Sequence, residues 1–404
     1  MTGREKSSPP AESRAEHVDA NTQPTVLLVT FGMDYIAPAR MPGELKRAGF
    51  KVALLAPRGA LCTQTRHVDS LNLMPDEQSL PAWIEALAEL ARATRARLLL
   101  PGDDATVQVL MQITREPLPA LRPGVQTELV ALIRSSLGDP AGYLDSIDKG
   151  RLARRARTLG LPVPPGETVA GADDAVRVAA AVGYPVVVRP MTGSSARGVR
   201  VCGSATEVRA AMENLPESSA LVPAGTHRAL VQHMIRGQPI NRPALAWEGR
   251  EIAGFCRLRV RPPPELPGFG SVSRYAVLPD VAALNRRLLQ GLGASGFVAT
   301  EFRLDAATGT PYLIEINRRM VPAAHTGARV GVDLAAALAT VIASEEWTGA
   351  TDLPVENERT LALFPQEWLR DRTSSDLQQR PTDAPWDDPA LFRAMLRLPP
   401  WGRR

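Results

Sequence analysis

Two short runs near residue 300 constrain the fold most strongly, because each combines strand-like alternation with acidic side chains. Residues 300–305 read TEFRLD and residues 311–317 read PYLIEIN. Alternation with period two is typical of a β-strand, and the five residues between the runs, which include Gly309, have a usual length for a hairpin loop. We therefore predict an antiparallel hairpin. Its predicted core-facing side chains are Phe302, Leu304, Tyr312, Ile314 and Ile316, and those of the second run that face away are Leu313, Glu315 and Asn317.

This hairpin would bring two glutamates together. The register that pairs Asp305 with Pro311 places Arg303 opposite Leu313 and Glu301 opposite Glu315. Opposed positions lie about 4.5–5.5 Å apart at Cβ, and two carboxylates at that distance repel each other. A divalent cation between them would remove the repulsion.

The candidate metal ligands are therefore Glu301, Glu315 and Asn317, whose oxygens suit Mg²⁺ or Mn²⁺. The alternative is a polar sheet face whose carboxylates turn to water or to Arg303. The arginine pair 318–319 directly after the second run favours the metal site, because anionic substrate groups would need cations at the same place.

The N-terminal third alternates between strands and helices. Apolar runs at 26–31, 51–56 and 97–101 predict buried parallel strands. The segment ending at Gly49 and the apolar stripe of residues 80–94 predict helices. This order predicts an open, doubly wound α/β domain. A GxGxxG turn does not follow the first strand, so we do not expect a dinucleotide site there.

A second constellation lies at 186–199. The apolar run that ends in Arg189 is followed by TGSSARGV, a loop of small residues. The backbone N–H groups of such a loop can donate to phosphates, and glycine permits a close approach. Gly/Ser loops are common, so this pattern alone is weak evidence. The same holds for Lys149, which follows Asp148 at a predicted helix start.

The order of these pieces is more specific than any one of them. Asp-Lys at a helix start is followed by YPVVVRP with its small-residue loop, then LVQHMIRG, then the hairpin that ends in EINRR. Over residues 145–345 the chain resembles the ATP-grasp superfamily, in the carbamoyl-phosphate-synthetase-like, carboxylate–amine ligase branch. The implied fold class is α/β (α+β in the catalytic part), an ATP-grasp fold preceded by an open parallel α/β domain.

The resemblance implies a division of the chain and a set of site residues. The expected divisions are a disordered tail (1–23), an α/β domain (24–144), the ATP-grasp domain (145–348, with a flexible subdomain at about 162–233) and a C-terminal appendage (349–404). Phosphate binding is expected from Lys149 and Arg189 and from a covering loop with Ser194, Ser195 and Gly198, adenine binding around Gln232, His233 and Met234, and Mg²⁺ binding at Glu301, Glu315 and Asn317. Arg319 is expected to orient the transferred phosphate or the substrate carboxylate.

Two site assignments stay open at this stage. Arg303 lies on the Glu301 face, where it contacts substrate or forms a salt bridge with Glu301 or Glu315. The acid that commonly follows the hinge glycine in the superfamily is absent after Gly237, so ribose recognition would fall to Gln238 or Asn241. Other departures from the superfamily pattern are Arg189 in place of lysine, His233 in place of an acid and Arg318 in place of proline.

The activity that the resemblance implies is ligation. ATP would convert a carboxylate to an acyl phosphate, and an amine would displace the phosphate to give an amide. The expected cofactors are ATP and Mg²⁺ (or Mn²⁺). The alternative is a nucleotide-binding protein of the same fold without turnover, acting as a sensor or scaffold.

Composition excludes several other functions. The 404 residues include 47 Lys and Arg and 43 Asp and Glu, for a net charge of +4, and these charges are interleaved rather than gathered in a stripe, so a nucleic-acid partner is not expected. The three distant cysteines form neither a disulfide framework nor a zinc spacing. There is no signal peptide pattern and no membrane-length apolar run. We expect a cytoplasmic protein with small-molecule substrates and a homodimer as the candidate assembly.

Overall fold

The computed structural model describes residues 23–75, 79–193, 198–216, 228–261 and 270–399. Nearly all of the predicted N-terminal tail, and residues 262–269, lie outside the described residues. None of the helices in the described part is both long and apolar enough to span a membrane.

A parallel four-stranded sheet forms the N-terminal part, as predicted. Its strands are β1 (Thr25–Val29), β2 (Lys51–Ala56), β3 (Ser70–Leu73) and β4 (Leu98–Pro101), in the order β3-β2-β1-β4. The helices are α1 (Ile36–Arg47), α2 (Leu80–Ala93), α3 (Asp104–Ile113) and α4 (Pro123–Leu137). Apolar side chains cover both faces of this sheet, since Leu27 and Val29 lie in one core cluster while Val26 and Leu28 lie in another. Burial on both faces explains why β1 and β2 are continuous apolar runs.

A small antiparallel sheet follows two connecting helices. These helices are α5 (Leu144–Ile147) and α6 (Lys149–Thr158). The sheet, of order β5-β8-β6-β7, contains β5 (Gly166–Val169), β6 (Val186–Pro190), β7 (Arg200–Cys202) and β8 (Ala229–His233), and it carries α7 (Ala172–Val182) and α8 (Ala205–Glu213). β6 and β7, which flank the small-residue loop in sequence, pair in antiparallel orientation.

The largest sheet has seven strands, ordered β14-β13-β9-β11-β12-β15 with β10 paired to β9. They are β9 (Gly237–Trp247), β10 (Arg250–Gly254), β11 (Cys256–Arg261), β12 (Val272–Ala276), β13 (Gly296–Asp305), β14 (Pro311–Asn317) and β15 (Arg359–Ala362). The remaining helices are α9 (Pro279–Leu292), α10 (Leu334–Ile342), α11 (Gln366–Arg370), α12 (Ser375–Gln379) and α13 (Pro389–Leu396). One pack of apolar side chains joins residues of the first sheet, the large sheet and the last helices, so these parts share a core.

Residues 250–261 form two strands of the large sheet rather than one, because the chain breaks at Phe255, whose N–H donates to the Pro243 carbonyl at 3.1 Å. The C-terminal stretch also contributes to the sheet, since β15 pairs with β12.

Candidate functional site

The glutamate pair of the hairpin is formed as predicted, but the register beyond it is not. Glu301 pairs directly with Glu315. A β-bulge then follows, so that Arg303 pairs with Tyr312 rather than with Leu313, and Pro311 pairs with Leu304 rather than with Asp305. A bulge adds one residue to one strand, and residue counting across a loop cannot detect it.

Beyond the bulge, side chains of the second run lie on the face opposite to the one predicted, and Tyr312, which pairs with Arg303, shares the face of Arg303 rather than the core face. Leu313 is 3% exposed and lies in the same core cluster as Phe302. Ile314 instead lines the adjacent cleft. The prediction that Leu313 faces away and Ile314 faces the core was therefore wrong, whereas Ile316 is buried in the core as predicted.

A cleft of about 260 Å³ lies between the small sheet and the large sheet. It brings together nearly every predicted site residue that the structure describes: Lys149, Arg189, Gln232, His233, Met234, Glu301, Arg303, Glu315, Asn317 and Arg319. Gly198 is not among the lining residues; its φ is +74°, and a Cβ there would collide with Pro216 and Pro190. Ser194 and Ser195 lie outside the described residues. Sequence reasoning gave no role to three further lining residues, Ile235, Arg257 and Arg259.

Arg189 holds Glu315 from across the cleft. It is 7% exposed, and its Nη2 donates to Glu315 Oε2 at 3.0 Å while its Nη1 donates to the carbonyl of the bulge residue Ile314 at 2.9 Å. Burial and the neighbouring Glu301 carboxylate raise the pKa of Glu315 above its ordinary value. An additional positive charge at this position would stabilise the ionised form of Glu315.

Lys149 lies beside this pair. Its Nζ donates to the Gly193 carbonyl at 2.8 Å, and the residue is 8% exposed. Burial, reinforced by the charge of Arg189, lowers the pKa of Lys149 to about 8, while Glu315 acts in the opposite direction. Lys149 is therefore a cation whose buried charge an anionic ligand would stabilise.

The two glutamates retain free oxygens. Glu301 Oε2 accepts from Arg259 Nη2 at 2.8 Å, so each glutamate has one oxygen on an arginine. Within the described ranges, Oε1 of Glu301 and Oε1 of Glu315 have no hydrogen-bond partner. The same part of the chain has no group of three or more His, Cys, Asp or Glu side chains that could hold a metal. Two carboxylates and the Asn317 amide thus form the candidate cation site, and their oxygens fit Mg²⁺.

Arg319 is fixed by an acid that sequence reasoning missed. Its Nε and Nη2 donate to the two carboxylate oxygens of Asp104, both at 2.8 Å, and its Nη2 also approaches Asn317 Oδ1 at 3.3 Å. Although Arg319 is only 4% exposed, the Asp104 carboxylate raises its pKa above the ordinary value. Asp104 follows β4, and the carboxyl ends of parallel strands are common ligand-facing positions, which was the available signal.

The hydrogen bonds of Asp103 fix the position of Asp104 beside Arg319. It caps α3 by accepting from Thr106 N at 2.8 Å. Its other oxygen accepts from Thr30 Oγ1 and from Phe31 N, both at 2.6 Å. The ends of β1 and β4 are thereby joined, and Asp104 takes the first position of α3.

Arg303 lines the cleft without the ion pair considered for it. Its Nη1 donates to the Gly237 carbonyl at 3.1 Å, and the partner of Glu301 is Arg259 instead. Burial, followed by the charge of Arg259, lowers the pKa of Arg303.

Two backbone donors at the end of β8 and in the hinge after it are already engaged. The His233 N–H donates to the Pro165 carbonyl at 2.8 Å, and the Met234 N–H donates to the Pro185 carbonyl at 3.0 Å. The Ile235 N–H has no partner among the described residues, and Ile235 lines the cleft. A donor available to a ligand at the hinge is therefore one residue beyond the predicted stretch of 232–234.

Comparisons with known proteins agree with this architecture. Residues 148–239 match the family model described as carbamoyl-phosphate synthase L chain, ATP binding domain. A D-alanine–D-alanine ligase of Ralstonia pickettii (strain 12J) is 24% identical over 286 residues, which cover 66% of this chain and 77% of that protein.

Solved structures show the same fold. The biotin carboxylase domain of the Hydrogenobacter thermophilus 2-oxoglutarate carboxylase matches with a TM-score of 0.61 at 18% identity, over 83% of this chain and 72% of that one. An L-amino acid ligase from Bacillus licheniformis matches with a TM-score of 0.60 at 15% identity, over 82% and 78%. The chain therefore has the ATP-grasp fold, and the resemblance found in its sequence is confirmed.

Proposed function

We propose that this protein is an ATP- and Mg²⁺-dependent ligase that activates a carboxylate as an acyl phosphate and joins it to an amine. The observation that carries the proposal is the opposed pair Glu301–Glu315, which faces Lys149 and Arg189 across one cleft of an ATP-grasp fold. The proteins similar to this chain include a D-alanine–D-alanine ligase and an L-amino acid ligase.

Mg²⁺ would be held by Glu301, Glu315 and Asn317, where it would neutralise phosphate charge and polarise the transferred group. Lys149 and Arg189 would take the phosphate oxygens from the opposite wall, since both are buried cations at hydrogen-bonding distance from cleft groups. Ile235 would donate its N–H to the adenine edge at the hinge. No Ser or Cys nucleophile is needed, because positioning and charge neutralisation supply the catalysis in phosphoryl transfer.

Arg319 would bind the reacting carboxylate or the transferred phosphate. Its two contacts with Asp104 fix the guanidinium plane, and a fixed, pre-oriented cation stabilises developing negative charge without reorganisation. Arg303 would contact the nucleotide or the substrate near the hinge, where it donates to Gly237. The excess of cations over acids in the cleft suits a polyanionic nucleotide.

The activity can be tested by measuring ADP release from ATP and Mg²⁺ in the presence of a panel of carboxylic acids, with hydroxylamine as a general amine that traps an acyl phosphate as the hydroxamate. We expect at least one acid to stimulate ADP release and to yield a hydroxamate. Glu315→Ala should reduce this turnover at least 100-fold, because the cation would lose a ligand.

The matched control is Glu346→Ala, since Glu346 is exposed and distant from the cleft lining; it should keep wild-type turnover. Full turnover in the Glu315→Ala variant would refute the metal assignment. ATP binding without ADP release for any acid would refute the ligase and support the alternative, a nucleotide-binding protein without turnover.

Assembly and location belong to the same proposal. We propose that its substrates are small-molecule acids and amines and that it is a cytoplasmic homodimer; one structure with a similar fold is a biotin carboxylase domain dimer. Sedimentation of the purified chain tests the dimer, and a monomer at micromolar concentration would contradict it.

A further inference from the structure

A row of paired residues crosses five strands of the large sheet on the cleft side. Neighbouring members are directly paired, so their side chains share one face. The row runs from β14 to β12 through Glu315, Glu301, Asn241, Arg257 and Tyr275. It begins at the two carboxylates and reaches Arg257 two strands beyond Glu301, a distance of roughly 10 Å at the usual strand spacing.

Arg257 is a buried cation that forms no ion pair with any residue the structure describes. It is 3% exposed and lines the cleft. Its Nε donates to Asn241 Oδ1 at 3.3 Å, and its Nη1 donates to Ser273 Oγ at 2.9 Å. Both partners are neutral, and within the described residues its Nη2 has no hydrogen bond. Burial accordingly lowers the pKa of Arg257.

A neighbouring buried arginine, unlike Arg257, has acidic partners. Arg242, on β9, is fully buried, and it forms ion pairs with both Glu251 and Asp352. Arg242 does not line the cleft. Burying a charge without a counter-charge is costly in free energy. Arg257 is buried at the cleft wall and lacks the ion pairs that Arg242 has. This difference indicates that an anionic ligand in the cleft supplies the counter-charge of Arg257.

The other acids of the cleft are already engaged. Glu315 pairs with Arg189, Glu301 pairs with Arg259, and Asp104 pairs with Arg319. Among the described residues, Arg257 and Arg303 make hydrogen bonds only to neutral groups. The two arginines lie near different parts of β9. Arg303 contacts the hinge at Gly237, whereas Arg257 pairs with Asn241, roughly 13 Å further along β9 at the usual rise per residue. Arg257 is therefore away from the hinge where the adenine is proposed to bind.

We propose that Arg257 binds a non-reacting carboxylate or phosphate group of one of the two ligase substrates. The inference rests on the proposed function and names its substrate class: at least one substrate carries an anionic group besides the carboxylate that is activated. A guanidinium fork suits either group, because both accept two parallel hydrogen bonds.

Matched pairs of substrates test this inference by steady-state ADP release. One panel pairs monocarboxylic acids with dicarboxylic and phosphorylated acids of equal length, and a second pairs amino acid amides with the free amino acids as acceptors. In one of the two panels, we expect kcat/KM to be at least tenfold higher for the substrate with the extra anionic group than for its matched partner. The panel that shows this difference identifies whether the acid or the amine carries the anionic group that Arg257 binds. Arg257→Gln should reduce that preference to less than threefold, with the KM for ATP changed less than twofold.

Arg257→Lys keeps the charge but loses the fork, and it should retain part of the preference. Arg274→Gln is the control, because Arg274 is exposed on the adjacent strand opposite Leu258. This variant should retain the full preference for the anionic substrate.

Equal kcat/KM values within every pair for the wild-type protein would overturn the inference without any variant. The inference can therefore be refuted even if Arg257→Gln fails to fold. A change confined to the KM for ATP would assign Arg257 to the nucleotide and also overturn it. Absence of acid-stimulated ADP release would instead refute the proposed function, and this inference with it.

Discussion

At the scale of single residues, the buried cations of the cleft differ in the partners that compensate their charge. Arg319 has a bidentate carboxylate in Asp104, Arg189 has Glu315 together with a backbone carbonyl, and Lys149 has, among the described residues, only the Gly193 carbonyl as a hydrogen-bond partner. A cation with a neutral partner loses more of its hydration energy on burial than its contacts return. Lys149 is therefore the cation whose protonation should respond most to a bound anion.

This difference predicts a pH dependence of nucleotide binding. Because the pKa of Lys149 is lowered to about 8, the side chain is protonated below that pH and becomes neutral above it. Bound phosphate favours the charged form, so the Kd for ATP should be constant at pH 6.5–7.5 and should rise above pH 8, at most tenfold per pH unit. Isothermal titration across pH 6.5–9.5 measures this rise.

The control for this titration is Lys149→Met, which should bind ATP more weakly at neutral pH and lose most of the rise above pH 8. Lys46→Met is the matched surface variant, since Lys46 pairs with Asp69 away from the cleft, and it should titrate like the wild-type protein. A wild-type Kd that stays flat to pH 9.5 would contradict the role given to Lys149.

At the scale of elements, two backbone irregularities shape the cleft. The bulge in the β13–β14 hairpin turns Ile314 and its carbonyl toward Arg189. At the start of β9, Gly237 has a φ of +155°, and a Cβ there would lie 1.8 Å from the Leu304 carbonyl oxygen. Glycine is required at Gly237 because two backbones approach closely, and this contact fixes the hinge against the hairpin that carries Glu301.

We therefore expect Gly237→Ala to force the hinge away from β13. The free energy of unfolding should fall by about 2 kcal/mol or more, because backbone atoms cannot yield to a Cβ as a side chain can. ATP affinity should fall as well, since the hinge lines the cleft. Urea denaturation and ATP titration give the two quantities.

Gly171→Ala is the matched variant for this comparison. Gly171 precedes α7 with a φ of −134°, and no heavy atom lies within 4 Å of the position that a Cβ would take there. Its unfolding free energy should stay within about 0.5 kcal/mol of the wild-type value. Equal stability of the two alanine variants would show that the close approach at Gly237 does not constrain the hinge.

At the scale of the whole molecule, a buried polar cluster joins three separate parts of the chain. His325, in the short 3-10 helix Ala324–Val330 that follows β14, bonds through Nε2 to Asp383 Oδ2 at 2.7 Å. Asp383, from the C-terminal stretch, also accepts from Phe364 N at 2.6 Å, and Arg40 of α1 contacts its carbonyl and its carboxylate. All three side chains are buried. The cluster makes the C-terminal stretch part of the folded unit.

This cluster predicts acid sensitivity of the fold. Burial, followed by the charge of Arg40, lowers the pKa of His325 to about 4 from an ordinary value of 6.5. The unfolded chain therefore takes up a proton that the folded chain does not between pH 6.5 and 4. The stability from the neutral form is complete above pH 6.5 and declines as the pH falls, by at most about 1.4 kcal/mol per pH unit.

Denaturation in urea at several pH values from 7.5 to 4 tests this slope. His325→Gln should be less stable at neutral pH, but its unfolding free energy should decline less steeply with falling pH. Identical slopes for His325→Gln and the wild-type protein would remove His325 as the source of the acid sensitivity.

The sequence by itself determined the local elements and the identity of most cleft residues. Helix and strand periods are short-range, so the β1 and β2 strands and the α2 helix could be located from apolar spacing, and the glutamate pair could be located from alternation across one hairpin loop. The order of motifs, rather than any single one, then identified the ATP-grasp fold.

Only the tertiary structure decided which groups are paired with one another. The bulge in β14, the placement of Asp104 against Arg319 and the lack of an ion pair between Arg257 and any described acid depend on contacts between segments separated by as many as 215 residues. Such contacts result from packing and from the satisfaction of buried charges. Neither the period of a strand nor the length of a loop encodes them, and they determine which cations of the cleft remain available to a substrate.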